Sequence, residues 1–272
     1  MLAIEARDVE YRYGQTVAVE RSSFSVPEGA ITALIGPNGS GKSTLLSGIA
    51  GIVAPSSGTM QVHQASTPRR IAFVLQTTKV NDALPITVRE IVAMGRYPTL
   101  GMLGRITDKD RSIIDAAMER MSIADISQRH LRELSGGQRQ RVFVAQGLAQ
   151  DHDLLLLDEP LTGLDLPSAQ AIDSVIHEEQ QLGRTIVMST HDLAEARVSD
   201  HVILMAGRVI ASGPPDEALT PTTLREAYGA ALLHVDEDQL FLDDPAHQPT
   251  EGHHVHQSRS IHPEAIPDDR HS

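Results

Sequence analysis

Apolar and polar positions follow two different periodicities along the chain. Short, largely apolar stretches alternate with helix-like sequence, which predicts a mainly parallel sheet with helices on its faces. The opening segment, Leu2 to Val26, alternates apolar and polar residues, and we expect it to form an antiparallel edge sheet. The stretches interpreted as strands are Ile31–Ile35, Arg70–Leu75, Leu154–Leu157, Thr185–Ser189 and His201–Met205.

A helical insertion is predicted within this sheet. Strand-like sequence stops between Thr77 and about Leu134, and apolar residues recur there at helical spacing, in Val88–Met94 and in Asp108–Met121. We therefore expect one α/β domain over residues 1–230, with a helical subdomain at about 77–134, followed by a tail over 231–272.

Composition separates the tail from the rest of the chain. From His234 onward nine residues are acidic and two are basic, which accounts for much of the formal net charge of −13. From Asp243 to Ser272 the sequence has too little apolar surface to bury, so we expect this part to be disordered. The acidic balance argues against a nucleic-acid partner. No apolar run approaches the roughly 18 residues that cross a bilayer, and the absence of cysteine excludes disulfides and Cys-ligated metal.

A glycine-rich loop follows the first buried strand and precedes a predicted helix, Ser43–Ala50. Glycines let the backbone wrap around phosphate oxygens, and a helix N-terminus supplies free N–H donors. We expect Lys42 to contact the β- and γ-phosphates of a nucleotide and Ser43 to supply a hydroxyl ligand to Mg²⁺. A glycine-rich turn without function is the alternative, and the flanking strand and helix disfavour it. The loop comprises Gly36, Pro37, Asn38, Gly39, Ser40, Gly41, Lys42, Ser43 and Thr44.

Four polar residues follow other predicted strands, at the edge where open α/β sheets bind ligands. Asp158 is suited to hold Mg²⁺ and Glu159 to act as general base on the attacking water. His191 would sense the γ-phosphate, and Gln76 would contact Mg²⁺ or the water. Each residue alone could be an ordinary surface group; their shared position at the sheet edge favours the functional interpretation.

A second anion site is predicted at Ser135, Gly136, Gly137 and Gln138, which precede another helix. Taken alone, this sequence could be a simple helix cap. One nucleotide in one loop needs no second site, whereas a two-fold homodimer explains it: each nucleotide would lie between the loop of one chain and Ser135–Gln138 of the other.

With these motifs in this order, residues 1–230 resemble the ATP-binding subunits of ABC transporters. The resemblance implies a P-loop NTPase fold of the ABC type and ATP hydrolysis coupled to transport, with ATP and Mg²⁺ bound. It implies that Asp165 contacts nucleotide and that Tyr13 stacks on adenine, with Tyr11 as a competing candidate. The implied partners are a membrane-spanning permease, a second copy of the chain and, indirectly, an extracytoplasmic substrate-binding protein. The implied location is the cytoplasmic face of the inner membrane.

The cargo implied by the resemblance is a divalent metal ion, zinc or manganese. Thr87–Pro98 resembles both the zinc/manganese importers and the iron–siderophore/cobalamin importers. Leu134–Asp165 is more similar to the zinc/manganese group. A soluble ABC ATPase acting on DNA or ribosomes is a further alternative. The tail offers a candidate zinc site, since imidazole ligands suit Zn²⁺, although its histidines could equally be incidental. These histidines are His247, His253, His254 and His256.

Overall fold

The computed structural model describes residues 1–63, 70–76, 85–100 and 104–229, and the backbone of two short strands at 235–236 and 239–240. The strands are β1 (Leu2–Tyr13), β2 (Thr16–Pro27), β3 (Ile31–Ile35), β4 (Ser57–Val62), β5 (Ile71–Val74), β6 (Leu154–Asp158), β7 (Thr185–Thr190), β8 (His201–Met205), β9 (Val209–Gly213), β10 (Val235–Asp236) and β11 (Gln239–Leu240). The helices are α1 (Lys42–Ile49), α2 (Val88–Met94), α3 (Tyr97–Leu100), α4 (Asp108–Arg120), α5 (Gly136–Leu148), α6 (Leu166–Gln181), α7 (Leu193–Val198), α8 (Pro215–Ala218) and α9 (Pro221–Tyr228), with short 3-10 turns at Ala124–Ile126 and Leu131–Glu133.

Two sheets form the described domain. The larger has six strands in the order β5-β6-β7-β3-β8-β9, and all its neighbours are parallel except β8 and β9. The smaller is antiparallel, in the order β2-β1-β4. The predicted α/β fold, with a mainly parallel sheet and an antiparallel edge sheet, is confirmed.

The central strands are apolar throughout because both faces of the large sheet are covered. In β6, Leu155 and Leu157 face the cluster that contains α5 and α6, whereas Leu154 and Leu156 face α1 and the antiparallel sheet. All four leucines are fully buried. β6, β7 and β3 are adjacent, so the segments that follow them meet at one edge of the sheet.

Four of the described strands were not predicted from sequence: β4, β9 and the short pair β10 and β11. β4 completes the antiparallel sheet, and its sequence has a single fully buried position, Val62. β9 is the outermost strand of the large sheet, next to β8, and most of its residues are half-buried. Neither β4 nor β9 has the strong apolar pattern that marks a buried strand. Both are stabilised by pairing with a neighbouring strand rather than by their own pattern.

The helical insertion packs through α2 and α4 onto α5, which in turn packs on the sheet. A buried ionic cluster ties its end to the domain: Arg120, at the end of α4, pairs with Glu179 on α6 at 2.7 Å. Burial alone would raise the pKa of Glu179, but hydrogen bonds from His152, Arg184 and Arg120 lower it to about 2. Within the described ranges, none of the helices is both long and apolar enough to cross a bilayer.

Helix α1 is fixed against β1 by a close contact between Gly48 and Tyr11. A Cβ on Gly48 would lie 2.2 Å from the Tyr11 hydroxyl oxygen, so a larger residue would displace the ring. Tyr11 is fully buried, and burial raises its pKa to about 12. Its ring therefore belongs to the core beneath α1 and is not accessible to a nucleotide.

Candidate nucleotide-binding site

At two positions of the glycine-rich loop between β3 and α1, close contacts leave no room for a larger side chain. A Cβ on Gly36 would lie 2.1 Å from the carbonyl oxygen of Met205, and one on Gly41 would lie 2.7 Å from that of Ala18. Gly41 also has a φ of +98°, a conformation that L side chains rarely adopt. Gly39, by contrast, has no described atom within 4 Å of its Cβ position, so the middle of the loop is open.

Helix α1 begins at this loop with unsatisfied donors. Among the described residues no side chain caps it, and its first turn contains no acidic residue. Three other helices, α2, α4 and α5, each start with a capping box, from Thr87, Thr107 and Ser135 respectively. The free N–H groups and partial positive charge of α1 therefore remain available to an anion.

Lys42 is buried beneath the loop, with 6% of its surface exposed. Its Nζ donates to the carbonyl oxygens of Gly36 at 2.7 Å and Pro37 at 3.2 Å. Burial lowers the pKa of Lys42, and the nearby carboxylates of Glu159 and Asp158 partly offset this by raising it. Among the described residues, the hydrogen-bond acceptors of this buried cation are neutral carbonyls in an open glycine loop. Phosphate oxygens fit such a site because they would supply negative charge.

Asp158, Glu159 and Gln76 meet beside Lys42, as the order of the strands requires. Gln76 follows β5, the neighbour of β6, and its Nε2 donates to Glu159 Oε2 at 2.9 Å. Asp158 Oδ1 accepts from the Ser189 hydroxyl at 2.7 Å, and the same hydroxyl accepts from the Glu159 backbone N–H at 2.9 Å. Two carboxylates and an amide beside the glycine-rich loop are oxygen donors of the kind that Mg²⁺ prefers.

Glu159 has a φ of +49°, which is uncommon for a residue with a side chain. Backbone conformations of this kind cost free energy and often occur at functional sites. The reversed φ turns the chain sharply after β6 and brings the Glu159 side chain to Gln76, directly at the sheet edge. The carboxylate is half-buried and thus reachable by water.

His191 lies one residue beyond β7, on a turn that leads into α7. The Thr190 hydroxyl accepts from the Asp192 N–H at 3.0 Å and donates to Glu195 Oε2 at 2.6 Å. Asp192 then caps α7 by accepting from the Ala194 N–H at 2.7 Å. These hydrogen bonds stabilise the turn that contains His191, which lies at the same sheet edge as Glu159.

The Ser135–Gln138 segment does not join this group within one chain. Ser135 caps α5, and Gln138 completes the capping box. A Cβ on Gly137 would lie 2.5 Å from Asp165 Oδ1 and 2.6 Å from Ser168 Oγ, whereas no described atom is within 4 Å of the Cβ position of Gly136. Asp165 thus lies beside Gly137, and no hydrogen bond between described residues links Ser135–Gln138 to the loop at 36–44.

Tyr13 lies at the tip of the β1–β2 hairpin, and its side chain is 53% exposed. The same hairpin packs against the glycine-rich loop, because Ala18 and Val19 on β2 contact Gly41. Of the two tyrosines considered for adenine stacking, Tyr13 is the accessible one, whereas Tyr11 is buried in the core.

Comparison with known proteins matches this chain to one family. The family model described as ABC transporter matches residues 19–162. The chelated iron transport system membrane protein YfeB of Yersinia pestis is 38% identical over 249 residues, which cover 89% of this chain and 84% of YfeB. The chain belongs to the ABC transporter family.

Two further proteins show how far the likeness extends. The manganese transport system ATP-binding protein MntB of Listeria monocytogenes is 36% identical over 234 residues, which cover 84% of this chain and 97% of MntB. The solved structure of cbiO1 from Clostridium perfringens, part of the ABC transporter complex cbiONQ, is 28% identical with a TM-score of 0.65. That match covers 84% of this chain and 94% of cbiO1. The chain is an ABC-type ATPase, as its motifs predicted.

Two polar residues beside the site of this ABC ATPase, Ser189 and Thr190, were not predicted from sequence. Ser189 was predicted to be the last residue of a strand, and Thr190 was assigned no role. The signal available was the placement of two hydroxyl residues directly before His191. Asp158, the partner of Ser189, is distant in sequence, and only the register of β6 against β7 places the two residues opposite each other. Glu195, the partner of Thr190, belongs to no recognisable sequence pattern.

The candidate zinc ligands of the tail, His247, His253, His254 and His256, lie outside the described residues. Within the described part of the chain, no group of three or more His, Asp or Glu side chains is arranged to hold a metal ion. The tail as a separate unit is likewise a prediction from sequence.

Proposed function

We propose that this ABC ATPase drives import of a divalent metal ion, zinc or manganese, through a separate permease. The proposal is supported most directly by the arrangement of Lys42, Asp158, Glu159 and Gln76 beside an uncapped helix N-terminus, which suits binding and hydrolysis of a nucleoside triphosphate. The metal cargo is supported by the relatives, one of which is named as a manganese transport system protein.

Each residue of the site has a proposed role. Lys42 leaves the carbonyls of Gly36 and Pro37 to bind the β- and γ-phosphates, and the free N–H groups of α1 bind the same phosphates. Ser43, Asp158 and Gln76 would hold Mg²⁺, which when bound neutralises phosphate charge. Glu159 accepts the proton of the attacking water, since it is half-buried and anchored by Gln76.

His191 and the aromatic Tyr13 complete the proposed site within the chain. His191 orients the attacking water against the γ-phosphate from the turn after β7. Tyr13, exposed beside the phosphate loop, stacks on the adenine ring, a contact that adds affinity with little base specificity.

The remaining elements are proposed to come from a second copy. Ser135 and Gln138 form the capping box of α5, and Gly136 faces open space. No hydrogen bond between described residues joins Ser135–Gln138 to the glycine-rich loop of the same chain. A two-fold pair would bring this segment against the γ-phosphate bound by the partner chain, with Asp165 at the junction. ATP would then close the dimer, and hydrolysis would release it.

Transport requires the ATPase to act on a membrane-spanning partner, which we place at the helical subdomain. Gln76 contacts Glu159 and lies next in the chain to this subdomain, so a change at the nucleotide can reach the permease through it. In this proposal the chain works at the cytoplasmic face of the inner membrane, and indirectly with an extracytoplasmic substrate-binding protein. The histidines of the tail would bind the metal weakly near the permease.

Import of chelated iron is the second candidate, because YfeB, at 38% identity, is named as a chelated iron transport protein. The phosphate chemistry is the same for either cargo, since this subunit binds ATP rather than the cargo. The two candidates therefore differ only in the partners of the chain.

Uptake measurements in the organism that encodes the chain separate these candidates. In a strain that lacks the gene, we expect the wild-type gene to restore uptake of radioactive manganese or zinc, and the Glu159→Gln variant to restore none. Restoration of chelated-iron uptake alone would replace the proposed cargo with the second candidate. Normal uptake of all three metals without the gene would contradict a role in metal import.

A further inference from the structure

We infer that Ser189 and Thr190, the last two residues of β7, are positioning residues for ATP hydrolysis. Ser189 holds the Asp158–Glu159 pair, and Thr190 holds the turn that carries His191. The inference rests on the roles proposed above for Glu159 and His191, and it assigns to β7 a part in catalysis that the sequence motifs do not contain.

Ser189 joins the two acidic residues through a single hydroxyl. The Glu159 backbone N–H can only donate, so the Ser189 oxygen must accept from it, at 2.9 Å. The Ser189 proton is then free for Asp158 Oδ1, at 2.7 Å. Ser189 is fully buried and lies directly opposite Asp158 in the pairing of β6 with β7. One side chain therefore sets both the rotation of the Asp158 carboxylate and the position of the Glu159 backbone.

The Glu159 backbone needs such an anchor because its φ is +49°. A non-glycine residue keeps this conformation only where its surroundings hold it. Without the hydroxyl, the partly buried N–H of Glu159 would lose this partner, and the turn could relax toward an ordinary φ. The carboxylate would then leave the position at which Gln76 contacts it.

Thr190 repeats the arrangement on the other side of the strand. Its hydroxyl accepts from the Asp192 N–H at 3.0 Å and donates to Glu195 Oε2 at 2.6 Å. Thr190 is buried, with 3% of its surface exposed. Since neighbouring strand residues point to opposite faces, the two hydroxyls serve different segments. Ser189 contacts Asp158 and Glu159 at the end of β6, and Thr190 contacts the turn that contains His191.

The test removes each hydroxyl with little change in volume, using Ser189→Ala and Thr190→Val in the full-length chain. We expect kcat for ATP hydrolysis to fall about 10- to 100-fold, with KM and the affinity for a fluorescent ATP analogue within about twofold of wild type. Thr190→Ser keeps its hydroxyl and should retain near wild-type kcat. Glu195→Gln keeps an acceptor for Thr190 and should be close to wild type, whereas Glu195→Ala should resemble Thr190→Val.

A matched control is Ser199→Ala. Ser199 is also a buried serine, and its hydroxyl donates to backbone carbonyls of Ala196 and His201 at the opposite edge of the sheet. It should lower the midpoint of thermal unfolding but leave kcat unchanged. If Ser199→Ala lowered kcat as much as Ser189→Ala and Thr190→Val do, the effect would be a general loss of stability and the inference would be wrong.

Two reference variants separate this inference from the proposed function. If Glu159→Gln and His191→Ala abolish turnover while Ser189→Ala and Thr190→Val keep wild-type kcat, the inference fails and the proposed function stands. If Glu159→Gln and His191→Ala themselves keep wild-type kcat, the proposed roles fail first. Should Ser189→Ala not fold, Ser189→Cys and the Glu195 pair provide the same comparison, and wild-type kcat in Ser189→Cys and Glu195→Ala would overturn the inference.

Discussion

Replacing Glu159 by glutamine is expected to lower ATP turnover by about 10²- to 10⁴-fold, the usual contribution of a general base, while ATP binding persists. The amide has the shape of the carboxylate, and its oxygen can still accept from Gln76 Nε2, so the sheet edge keeps its geometry. The amide cannot accept a proton from water. Phosphate release reports turnover, and equilibrium dialysis with labelled ATP reports binding.

The matched control for this prediction is Glu119→Gln. Glu119 is an exposed glutamate on α4, away from the sheet edge, and its replacement should leave turnover unchanged. Wild-type turnover in Glu159→Gln would show that Glu159 is not the base. Loss of ATP binding in the same variant would show that Glu159 instead maintains the pocket.

Lys42→Ala is expected to weaken ATP binding by about 100-fold or more. Lys42 is the buried cation of the phosphate loop, and each hydrogen bond from a charged donor contributes about 1.5–3 kcal/mol. Its loss also removes the positive charge that offsets the carboxylates of Asp158 and Glu159 beside the loop. Titration of the variant with a fluorescent ATP analogue measures the change.

Lys109→Ala serves as the control for Lys42→Ala, because Lys109 is exposed on α4 and is not part of the phosphate loop. Thermal unfolding without nucleotide checks that both variants are folded. Unchanged affinity in a folded Lys42→Ala protein would place the phosphates elsewhere than the loop at 36–44.

Much of the fold could be predicted because buried parallel strands have a strong apolar pattern. β3, β6, β7 and β8 matched the predicted stretches to within one residue at each end. The candidate site followed from topology, since residues after adjacent parallel strands meet at one edge. Gln76, Asp158 and Glu159 were placed together by this argument, and the structure brings them into contact with one another or with Ser189.

Other features could not be predicted because they depend on tertiary contacts. Tyr11 and Tyr13 have similar sequence surroundings, and only the packing of Tyr11 under Gly48 separates the buried ring from the exposed one. Ser189 lies far in sequence from Asp158, so its hydrogen bonds require the register of β6 against β7. The partners of Thr190 are close in sequence, but their hydrogen bonds depend on the turn that follows β7. β4 and β9 have weak apolar patterns, so their sequences did not indicate that they pair with neighbouring strands.

The central claim is that each ATP lies between two copies of the chain, and mixing two inactive variants tests it most directly. Lys42→Ala removes the phosphate-loop cation. Gly136→Glu adds a negative charge to the second anion site and should fold, because no described atom lies within 4 Å of that Cβ position. A glutamate in the first turn of a helix is also favourable.

Each variant alone is predicted to be nearly inactive, whereas an equal mixture should regain up to about a quarter of wild-type ATPase activity. In a mixed two-fold dimer, one of the two sites combines intact Lys42 from one chain with intact Gly136 from the other. Recovery of activity on mixing, measured by phosphate release, is the result that the account predicts. No recovery at any ratio of two folded variants would contradict it.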